Sequence, residues 1–561
     1  MKRLIRPLAI LLACSALALV PVASALSQSD SPGFGLPSPS GSFLAGQEAL
    51  NTLGVNMAAQ AFLDATQTQW ESPEIIERAF ASLAAAGRID EAESLARHLL
   101  ELQPGNNLAK LLVATVALKE RRYTSTIRQM ETLGLDSFID ISGLLVEAWA
   151  YLGQSDLKAA FAVLERLEGN GLENFLIFHK ALMADFAGDK QAIELAEKAY
   201  EADPFISRSV EVYARVLGNA GRFAEALEVL DAYEREGLSH PSLIPVRADI
   251  EAGRLPGKYA TNVAAGAAEL YHGIGAALAR DGASDIAMVF LQLGLYLNPK
   301  SDNIALAIGD LFDSAGRFEL ANQAYASIRD GSPFKSGAAV LMAANLDNLG
   351  DRDGAIAELG AIVKAEPDNV EALTALGDLL RSDEQYSRAI QAYTRIIGIV
   401  GGEHPRDWRY FYVRGIAYER NGEWEAAESD FLRALELNPD QPQVLNYLGY
   451  SWVDQGVNLE PALTMIEKAV KANPRDGYIV DSLGWAIYKM GRYEDAVRIL
   501  EEAVRLLPND PEINDHLGDA YWYAGRKREA RFQWTIARSV DRRGVVTERV
   551  IPKLENGLDE N

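Results

Sequence analysis

The chain has 561 residues, of which 48% are hydrophobic, and it carries a formal net charge of -25. This acidity argues against a nucleic-acid partner, because affinity for nucleic acids comes largely from cations that neutralise phosphates. A single cysteine allows no intrachain disulfide. The prevalence of Ala, Leu, Glu and Arg over runs of β-branched residues favours an all-α fold.

The first 25 residues have the pattern of an export signal. Three cations precede an apolar stretch over residues 8–20 that is too short to span a bilayer, and small residues at 23–25 form a cleavage site. We therefore expect a periplasmic or cell-envelope protein of a bacterium. In an alternative interpretation, residues 11–14 (LLAC) are a lipobox and Cys14 becomes the lipidated N-terminus, which would make the protein an outer-membrane lipoprotein.

Residues 26–42 are rich in Ser, Pro and Gly and contain little to bury, which predicts a flexible tether. After the tether, glycines recur at close to 34-residue steps. A glycine that ends one helix and turns into the next adopts a positive φ without a Cβ clash, so the series predicts repeated helix-turn-helix units. Arg121 and Glu384 hold the glycine position where one is missing. The glycines are Gly87, Gly153, Gly188, Gly221, Gly282, Gly316, Gly350, Gly422, Gly456, Gly491 and Gly525.

The clearest unit spans residues 408–441. Counted from its first residue, positions 8, 11, 15, 17, 20, 24, 27 and 32 hold Gly415, Tyr418, Gly422, Trp424, Ala427, Phe431, Ala434 and Pro439. The same frame fits the units that begin at 477 and 511. With these residues the chain resembles tetratricopeptide repeat proteins, in which small residues at positions 8 and 20 let two helices approach closely. The resemblance implies a right-handed α-solenoid of about fourteen helix-turn-helix repeats.

The repeat frame divides the chain into two blocks. Starts near 39, 73, 107, 139, 174 and 207 make a degenerate N-terminal block over 43–240, and starts near 268, 302, 336, 370, 408, 442, 477 and 511 make a more regular block over 268–544. Residues 241–267 break the register and predict an irregular helix and a loop. Residues 545–561 are expected to be a short tail, partly helical at best around Pro552. Seven cations between 526 and 543 give the last hairpin a basic, solvated outer face.

Sequence signatures of catalysis fail for physical reasons. GRLPGK at 253–258 lacks one residue between the glycines of a phosphate-binding loop, and Tyr259 replaces the Ser or Thr that binds Mg²⁺. The six histidines are scattered over different repeats without a close ligand pair. We therefore predict no catalytic residue, no metal site and no cofactor, and a chain that is not an enzyme.

The resemblance also implies where a partner binds. In tetratricopeptide proteins, positions 5, 9 and 12 of the first helix tend to line a concave groove, where aromatic rings supply contact area at low entropic cost. For Tyr450, Trp485 and Trp522, packing between repeats is an equally open interpretation, since either role uses a large ring. Acidic side chains in the set favour a cationic or neutral segment over a free carboxylate. The predicted partner-binding residues are Tyr412, Asn446, Tyr450, Asp481, Trp485, Tyr488, Asp515, Asp519 and Trp522.

Together these features predict a non-catalytic scaffold or adaptor in the cell envelope that binds an extended or helical protein segment. Its partners are one or more proteins and not nucleic acid, with membrane contact only if Cys14 is lipidated. Two alternatives stay open, both suggested by the resemblance to envelope tetratricopeptide proteins. One is a lipid-anchored adaptor that delivers substrates to a periplasmic processing protease. The other is an assembly factor for an outer-membrane, secretion or cell-wall polysaccharide machine.

Overall fold

The computed structural model describes residues 38–134, 137–169 and 171–559, and this part of the chain contains thirty α-helices, one short 3-10 helix and no strand. The all-α prediction is therefore confirmed. The chain divides into two compact units between Asp351 and Arg352. The predicted export signal, Cys14 and the tether as far as residue 37 lie outside the described residues.

The first unit contains α1 to α18. Their bounds are α1 Pro39–Asn51, α2 Val55–Thr66, α3 Pro73–Ala85, α4 Ile89–Leu102, α5 Asn107–Lys119, α6 Tyr123–Met130, α7 Phe138–Gly153, α8 Leu157–Glu165, α9 Glu173–Ala187, α10 Ala192–Ala202, α11 Ser207–Asn219, α12 Phe223–Arg235, α13 Leu243–Glu251, α14 Val263–Arg280, α15 Ser284–Leu297, α16 Asp302–Ser314, α17 Phe318–Ala326 and α18 Lys335–Asn348.

The second unit contains α19 to α30 and the 3-10 helix Pro405–Asp407. The α-helices are α19 Arg352–Ala365, α20 Val370–Ser382, α21 Tyr386–Val400, α22 Trp408–Arg420, α23 Trp424–Leu437, α24 Pro442–Asp454, α25 Leu459–Ala472, α26 Gly477–Lys489, α27 Tyr493–Leu506, α28 Pro511–Tyr523, α29 Lys527–Val540 and α30 Val545–Asn556.

The repeat frame predicts where these helices begin. Each of the fourteen expected starts has a helix that begins within one residue of it, except the start near 268, where α14 already begins at Val263. We call the helix that begins at a frame start helix A and the following one helix B. Within each unit, successive helices pack on one another, so the prediction of an α-solenoid of repeated helix pairs is confirmed.

The predicted turn positions mostly have the expected backbone conformation. Gly422 and Gly525 have φ values of 81° and 79°, and the substitutes Arg121 and Glu384 have φ values of 61° and 59°. Gly153 is an exception, because it ends α7 and the left-handed residue of that turn is Ser155, with φ 64°. A Cβ on Gly153 would lie 2.6 Å from the Tyr123 ring, so this glycine serves close packing rather than the turn.

Glycine at position 8 of helix A lets the ring from helix B of the same repeat approach the backbone. A Cβ at Gly415 would lie 2.7 Å from the Phe431 ring, and one at Gly518 would lie 2.3 Å from Trp534 Nε1. Real Cβ atoms do not approach so closely, so an alanine would push the two helices apart. The same arrangement at successive repeats sets the spacing of helices A and B.

The first helix begins earlier than the sequence indicates. The tether was expected to continue to residue 42, but α1 begins at Pro39. The side chain of Ser38 accepts a hydrogen bond from the backbone N–H of Gly41 at 3.1 Å, and Pro39 occupies a first-turn position, where its fixed φ suits a helix. The Ser and Pro that suggested a tether therefore form the helix start.

Residues 241–267 form a short helix, α13, and an extended connection to α14. The connection is held to the preceding repeats, because Lys258 Nζ donates to the carbonyl oxygens of Asp185 at 2.5 Å and Phe186 at 3.0 Å. The sequence analysis placed the boundary between the two repeat blocks in this segment. The compact units nevertheless divide later, after residue 351, because α14 and α15 pack on helices of the first block.

The expected tail after residue 544 is instead largely helical as far as residue 556. Val546 and Val550 of α30 are buried, and Lys553 forms ion pairs with Asp515 and Asp519 of α28. Pro552 lies inside the helix and removes one backbone hydrogen bond. Burial of the two valines and the ion pairs compensate for that loss, which is why a proline did not end the helix here.

Candidate functional site

The predicted partner-binding residues lie on four successive A helices of the second unit. We call positions 5, 9 and 12 of these helices, together with their equivalents in the first unit, the helix-A surface. Tyr412 lies on α22, Asn446 and Tyr450 on α24, Asp481, Trp485 and Tyr488 on α26, and Asp515, Asp519 and Trp522 on α28.

In the first unit the helix-A surface over α3, α5, α7 and α9 is covered by the chain's own α14 and α15. Tyr271 of α14 is hydrogen-bonded to the Thr115 hydroxyl of α5, and Phe290 of α15 lies 5.7 Å from Phe138 of α7 between ring centroids. A Cβ at Gly266 of α14 would lie 2.1 Å from Trp149 of α7, so the two helices are in close contact there. The sequence analysis did not predict this contact.

Buried charges hold α14 in this place. Arg208 Nη1 lies 2.5 Å from Glu269 Oε1, and the Tyr259 hydroxyl donates to Glu269 Oε2 at 3.0 Å. Burial opposes ionisation of Glu269, but Arg208 and His272 outweigh it and lower the pKa of Glu269 to about 2. The carboxylate of Glu269, on α14, therefore stays charged and paired with Arg208 of α11, and this part of the surface is an interior of the protein.

In the second unit, α30 covers the C-terminal end of the helix-A surface. Lys553 Nζ lies 2.7 Å from carboxylate oxygens of both Asp515 and Asp519, and Arg549 Nε lies 2.7 Å from Asp515 Oδ2. Trp522 Nε1 donates to the carbonyl oxygen of Leu558 at 3.0 Å. These three predicted partner-binding residues thus contact the protein's own C-terminal segment. A basic segment does bind these acids, as expected from their charge, but it belongs to the same chain.

Asp481 is also engaged within the protein. His516 Nδ1 lies 2.9 Å from Asp481 Oδ2, and His516 Nε2 lies 3.5 Å from Glu512 Oε1. Burial alone would lower the pKa of His516, but Asp481 and Glu512 outweigh it and raise the pKa to about 10. The imidazolium neutralises Asp481. His516 occupies position 6 of its A helix, a position that the sequence analysis did not consider. Position 5 of one A helix contacts position 6 of the next in this pair, and Tyr412 contacts Tyr447 in the same way.

The remaining residues form an open stretch of surface across α22, α24 and α26. Trp485 is 9% exposed and stacks on Tyr488 at 4.6 Å and on His516 at 4.0 Å between ring centroids. Its Nε1 is buried and has no hydrogen-bond partner among the described residues, and the same holds for Oδ1 of the half-buried Asn446. A buried polar group without a partner costs about 1–3 kcal/mol. One donor and one acceptor on neighbouring A helices are thus unsatisfied.

Two tyrosines complete the open stretch. Tyr450 is half-buried, and burial together with the nearby carboxylates of Asp454 and Asp481 raises its pKa, so the phenol stays protonated. Tyr412 packs between repeats, with its ring centroid 6.0 Å from that of Tyr447 in an edge-on arrangement. Tyr412 therefore contributes to inter-repeat packing, whereas Tyr450 lies on α24 one helical turn after Asn446.

Unpaired buried polar atoms also occur in the first unit, but in a different setting. Trp149 Nε1 and both ring nitrogens of His179 have no partner among the described residues, and both side chains are completely enclosed. Burial lowers the pKa of His179 to about 4, so its imidazole is neutral. No partner can reach these atoms while α14 is in place.

Within the described ranges, no helix combines the length and the hydropathy needed to cross a bilayer.

Comparison with known proteins gives two kinds of match. Tetratricopeptide repeat family models match residues 340–405, 458–511 and 408–441. A TPR repeat-containing protein of Pseudomonas aeruginosa is 31% identical over 119 residues, which are 21% of this chain and 20% of that relative. The chain thus matches about a fifth of that relative's length.

Solved structures give matches of low sequence identity and low TM-score. A tetratricopeptide repeat protein from Parabacteroides merdae is similar over 46% of this chain and 99% of its own, with 17% identity and a TM-score of 0.38. The APC/C hetero-tetramer Cut9–Hcn1 contains a chain that is similar over 93% of this one and 96% of its own, with 13% identity and a TM-score of 0.39.

Proposed function

Because this chain is a tetratricopeptide repeat protein, we propose that it is a non-catalytic scaffold or adaptor that binds a protein segment across α22, α24 and α26. Tetratricopeptide repeats are in general protein-interaction modules. The observation that carries the proposal for this chain is the pair of unsatisfied groups, Trp485 Nε1 and Asn446 Oδ1, on neighbouring A helices.

A polypeptide backbone offers what these two groups lack. A carbonyl oxygen would accept from the indole N–H of Trp485, and a backbone N–H would donate to Asn446, while the Tyr450 ring supplies apolar contact beside them. An extended segment leaves its backbone groups free for such bonds, whereas a helix uses them internally. Since His516 neutralises Asp481, the proposed segment is extended and neutral or weakly basic.

Single-residue substitutions test this proposal. Trp485→Phe removes the N–H and keeps an aromatic ring, and Trp452→Phe is the matched control, because Trp452 Nε1 already donates to Glu428 at 2.6 Å. Peptides selected from a random library on the immobilised full chain would be titrated by fluorescence anisotropy. We expect Trp485→Phe and Asn446→Ala each to weaken binding about fivefold, as one hydrogen bond of about 1 kcal/mol requires. Equal affinity for wild type and both variants, or equal loss in the control, would contradict the proposal.

We also propose that the protein acts in the bacterial cell envelope. Support comes from residues 1–25 alone, whose pattern is that of an export signal. Mass determination of the mature N-terminus in the native host tests this. A start at Leu26 means a cleaved signal, and a diacylglyceryl Cys14 means a lipoprotein, whereas a chain that keeps Met1 and its neighbours contradicts export.

The identity of the bound partner distinguishes the two roles proposed for an envelope scaffold. A photo-crosslinking residue at Tyr450 would capture what lies on the open stretch, and the same residue at Thr464, on the exposed side of α25, is the control. A processing protease or its substrates at Tyr450 would support an adaptor, and subunits of a membrane or cell-wall machine would support an assembly factor. Equal capture at both positions would contradict binding at the open stretch.

A further inference from the structure

The outer face of α29, the B helix of the last repeat, is basic although the chain is strongly acidic. Ala530, Gln533, Trp534 and Ala537 of α29 are buried. The opposite side of the helix is exposed, and the single carboxylate of α29, Glu529, lies at its margin and pairs with Arg526. We call this side the basic face; it consists of Arg528, Arg531, Phe532, Thr535, Arg538 and Ser539, and Arg542 and Arg543 extend it beyond the helix end.

Most of these cations have no acidic partner. Among the described residues, no carboxylate forms an ion pair with Arg528, Arg538, Arg542 or Arg543, and Arg531 lies 5.2 Å from the Trp522 ring centroid. The preceding B helix is different. On α27, Arg498 pairs with Asp495 and Arg505 pairs with Glu502. The basic face therefore presents charge that the protein itself does not neutralise.

Helix stability accounts for Arg538 in the last turn of α29, where the helix dipole favours a cation, but not for Arg528. The first turn of α29 contains Lys527 and Arg528 beside Glu529, and the dipole disfavours positive charge there. The corresponding turn contains Glu494 and Asp495 in α27 and Glu460 in α25. Arg528 opposes the dipole and forms no ion pair with a described carboxylate, so helix stability does not explain this arginine.

The position of α29 at the end of the repeats also does not account for the face. A terminal repeat needs a polar outer side, because no further repeat covers it. Polar residues of either charge meet that need, and Phe532 does not. Its exposure of 68% is shared with Leu44 and is exceeded by no other large apolar side chain among the described residues. The aromatic ring is on the same side of the helix as Arg528 and Arg531.

We propose that the basic face binds a membrane surface of anionic lipids, independently of the segment-binding role of α22 to α26. The arginines fit the negative headgroups, and Phe532 fits the apolar layer directly beneath them, so one helix side of about 20 Å offers both contacts that a bilayer interface takes up. A nucleic acid or an acidic peptide uses the charge but does not offer an apolar layer below it, so lipid is the partner that accounts for both features.

Vesicle flotation with the purified full chain tests the proposal. Vesicles of phosphatidylcholine with added phosphatidylglycerol are compared with phosphatidylcholine alone. Each variant is compared with the wild-type chain, so that the apolar residues and the three cations near the N-terminus contribute equally to both proteins. We expect preferential binding to the anionic vesicles that disappears at high ionic strength. Arg528→Gln with Arg538→Gln should weaken this binding about thirtyfold, because each cation near an anionic surface contributes about a factor of five.

Two further variants make the test specific. Arg498→Gln with Arg505→Gln changes the net charge by the same amount on α27 and should leave binding unchanged. Phe532→Ser should weaken binding to anionic vesicles several-fold while the circular dichroism spectrum stays the same, because the ring is exposed. The proposal is overturned by the absence of a preference for anionic vesicles, by equal loss in the α27 control, or by binding to DNA or an acidic peptide in place of vesicles.

Discussion

The same repeat geometry has opposite uses in the two units. In the first unit the helix-A surface over α3 to α9 is filled by α14 and α15, with Tyr271 bonded to Thr115 and Gly266 against Trp149. In the second unit the surface is open over α22 to α26 and covered only at its end, where α30 pairs with Asp515 and Asp519. A repeat therefore does not determine by itself whether its helix-A surface binds a partner, because other parts of the chain can occupy it first.

The largest expected effect comes from the filled surface. Trp149→Ala removes a completely buried indole between α7 and α14, and we expect it to destabilise the first unit by about 4 kcal/mol. The loss of stability is measured by urea unfolding, with hydrogen exchange of peptides from each unit as the signal. Faster exchange should be confined to the first unit and include residues 263–297.

Trp70→Ala is the control for that prediction, because Trp70 is 46% exposed and its loss leaves no buried cavity. If Trp149→Ala were no more destabilising than Trp70→Ala, the tight contact of α14 with α7 would not hold the first unit together. The filled and open surfaces would then differ less than the structure indicates.

The covered end of the second unit gives the next effect. Lys553→Ala leaves Asp515 and Asp519 facing each other in a buried place, where burial and Asp515 already raise the pKa of Asp519. Removing one partner of a buried ion pair costs about 3 kcal/mol. We expect a matching loss in urea stability and rapid proteolysis within 545–559.

Arg505→Ala is the matched control for Lys553→Ala, since it removes a cation from an exposed pair with Glu502 and should not change stability measurably. Unchanged protease resistance of α30 in Lys553→Ala would mean that burial of Val546 and Val550 alone keeps the helix in place. The covered end would then not depend on its charges.

Local structure could be predicted from the sequence, whereas contacts between distant residues could not. The 34-residue frame places the helices, and even the left-handed turns at Arg121 and Glu384, because turn geometry depends on residues that are close in sequence. The filling of the first unit depends on residues far apart, since Gly266 has no Cβ that would clash with Trp149 and Tyr271 reaches Thr115. No periodic pattern contains that information.

The helix α30 was missed for a related reason. Pro552 argued locally against a helix, whereas the cause of its folding lies in the carboxylates of α28, 34 and 38 residues away from Lys553. Asp515 and Asp519 were read as ligand contacts because their partner was assigned to a tail. Position 6 was overlooked in the same way, and His516 at that position is what neutralises Asp481.

His516 gives the second unit a pH dependence above neutral pH. The pKa of His516 is about 10 in the folded protein and near 6.5 when unfolded, so its contribution is complete below about pH 6.5 and is lost as the pH rises toward 10. Stability should fall by about 1.4 kcal/mol per pH unit in that window. Urea unfolding between pH 6 and 10, monitored by hydrogen exchange within residues 352–559, measures the slope, and His516→Gln should remove it. An equal slope in His516→Gln would assign the effect to another group.

The smallest expected effect is a difference in stability between two Trp→Phe variants, one at the covered end and one in the open stretch. Trp534 Nε1 donates to Asp519 at 2.9 Å, whereas Trp485 Nε1 has no partner among the described residues. Trp534→Phe should therefore cost about 1–2 kcal/mol more in urea stability than Trp485→Phe, because only the first change breaks a buried hydrogen bond. Both changes shrink a buried indole to a phenyl ring, so much of the packing loss cancels in the difference. Equal losses would mean that the Trp485 N–H is satisfied in solution, and the open stretch would then lack the unmet donor that a bound backbone is proposed to satisfy.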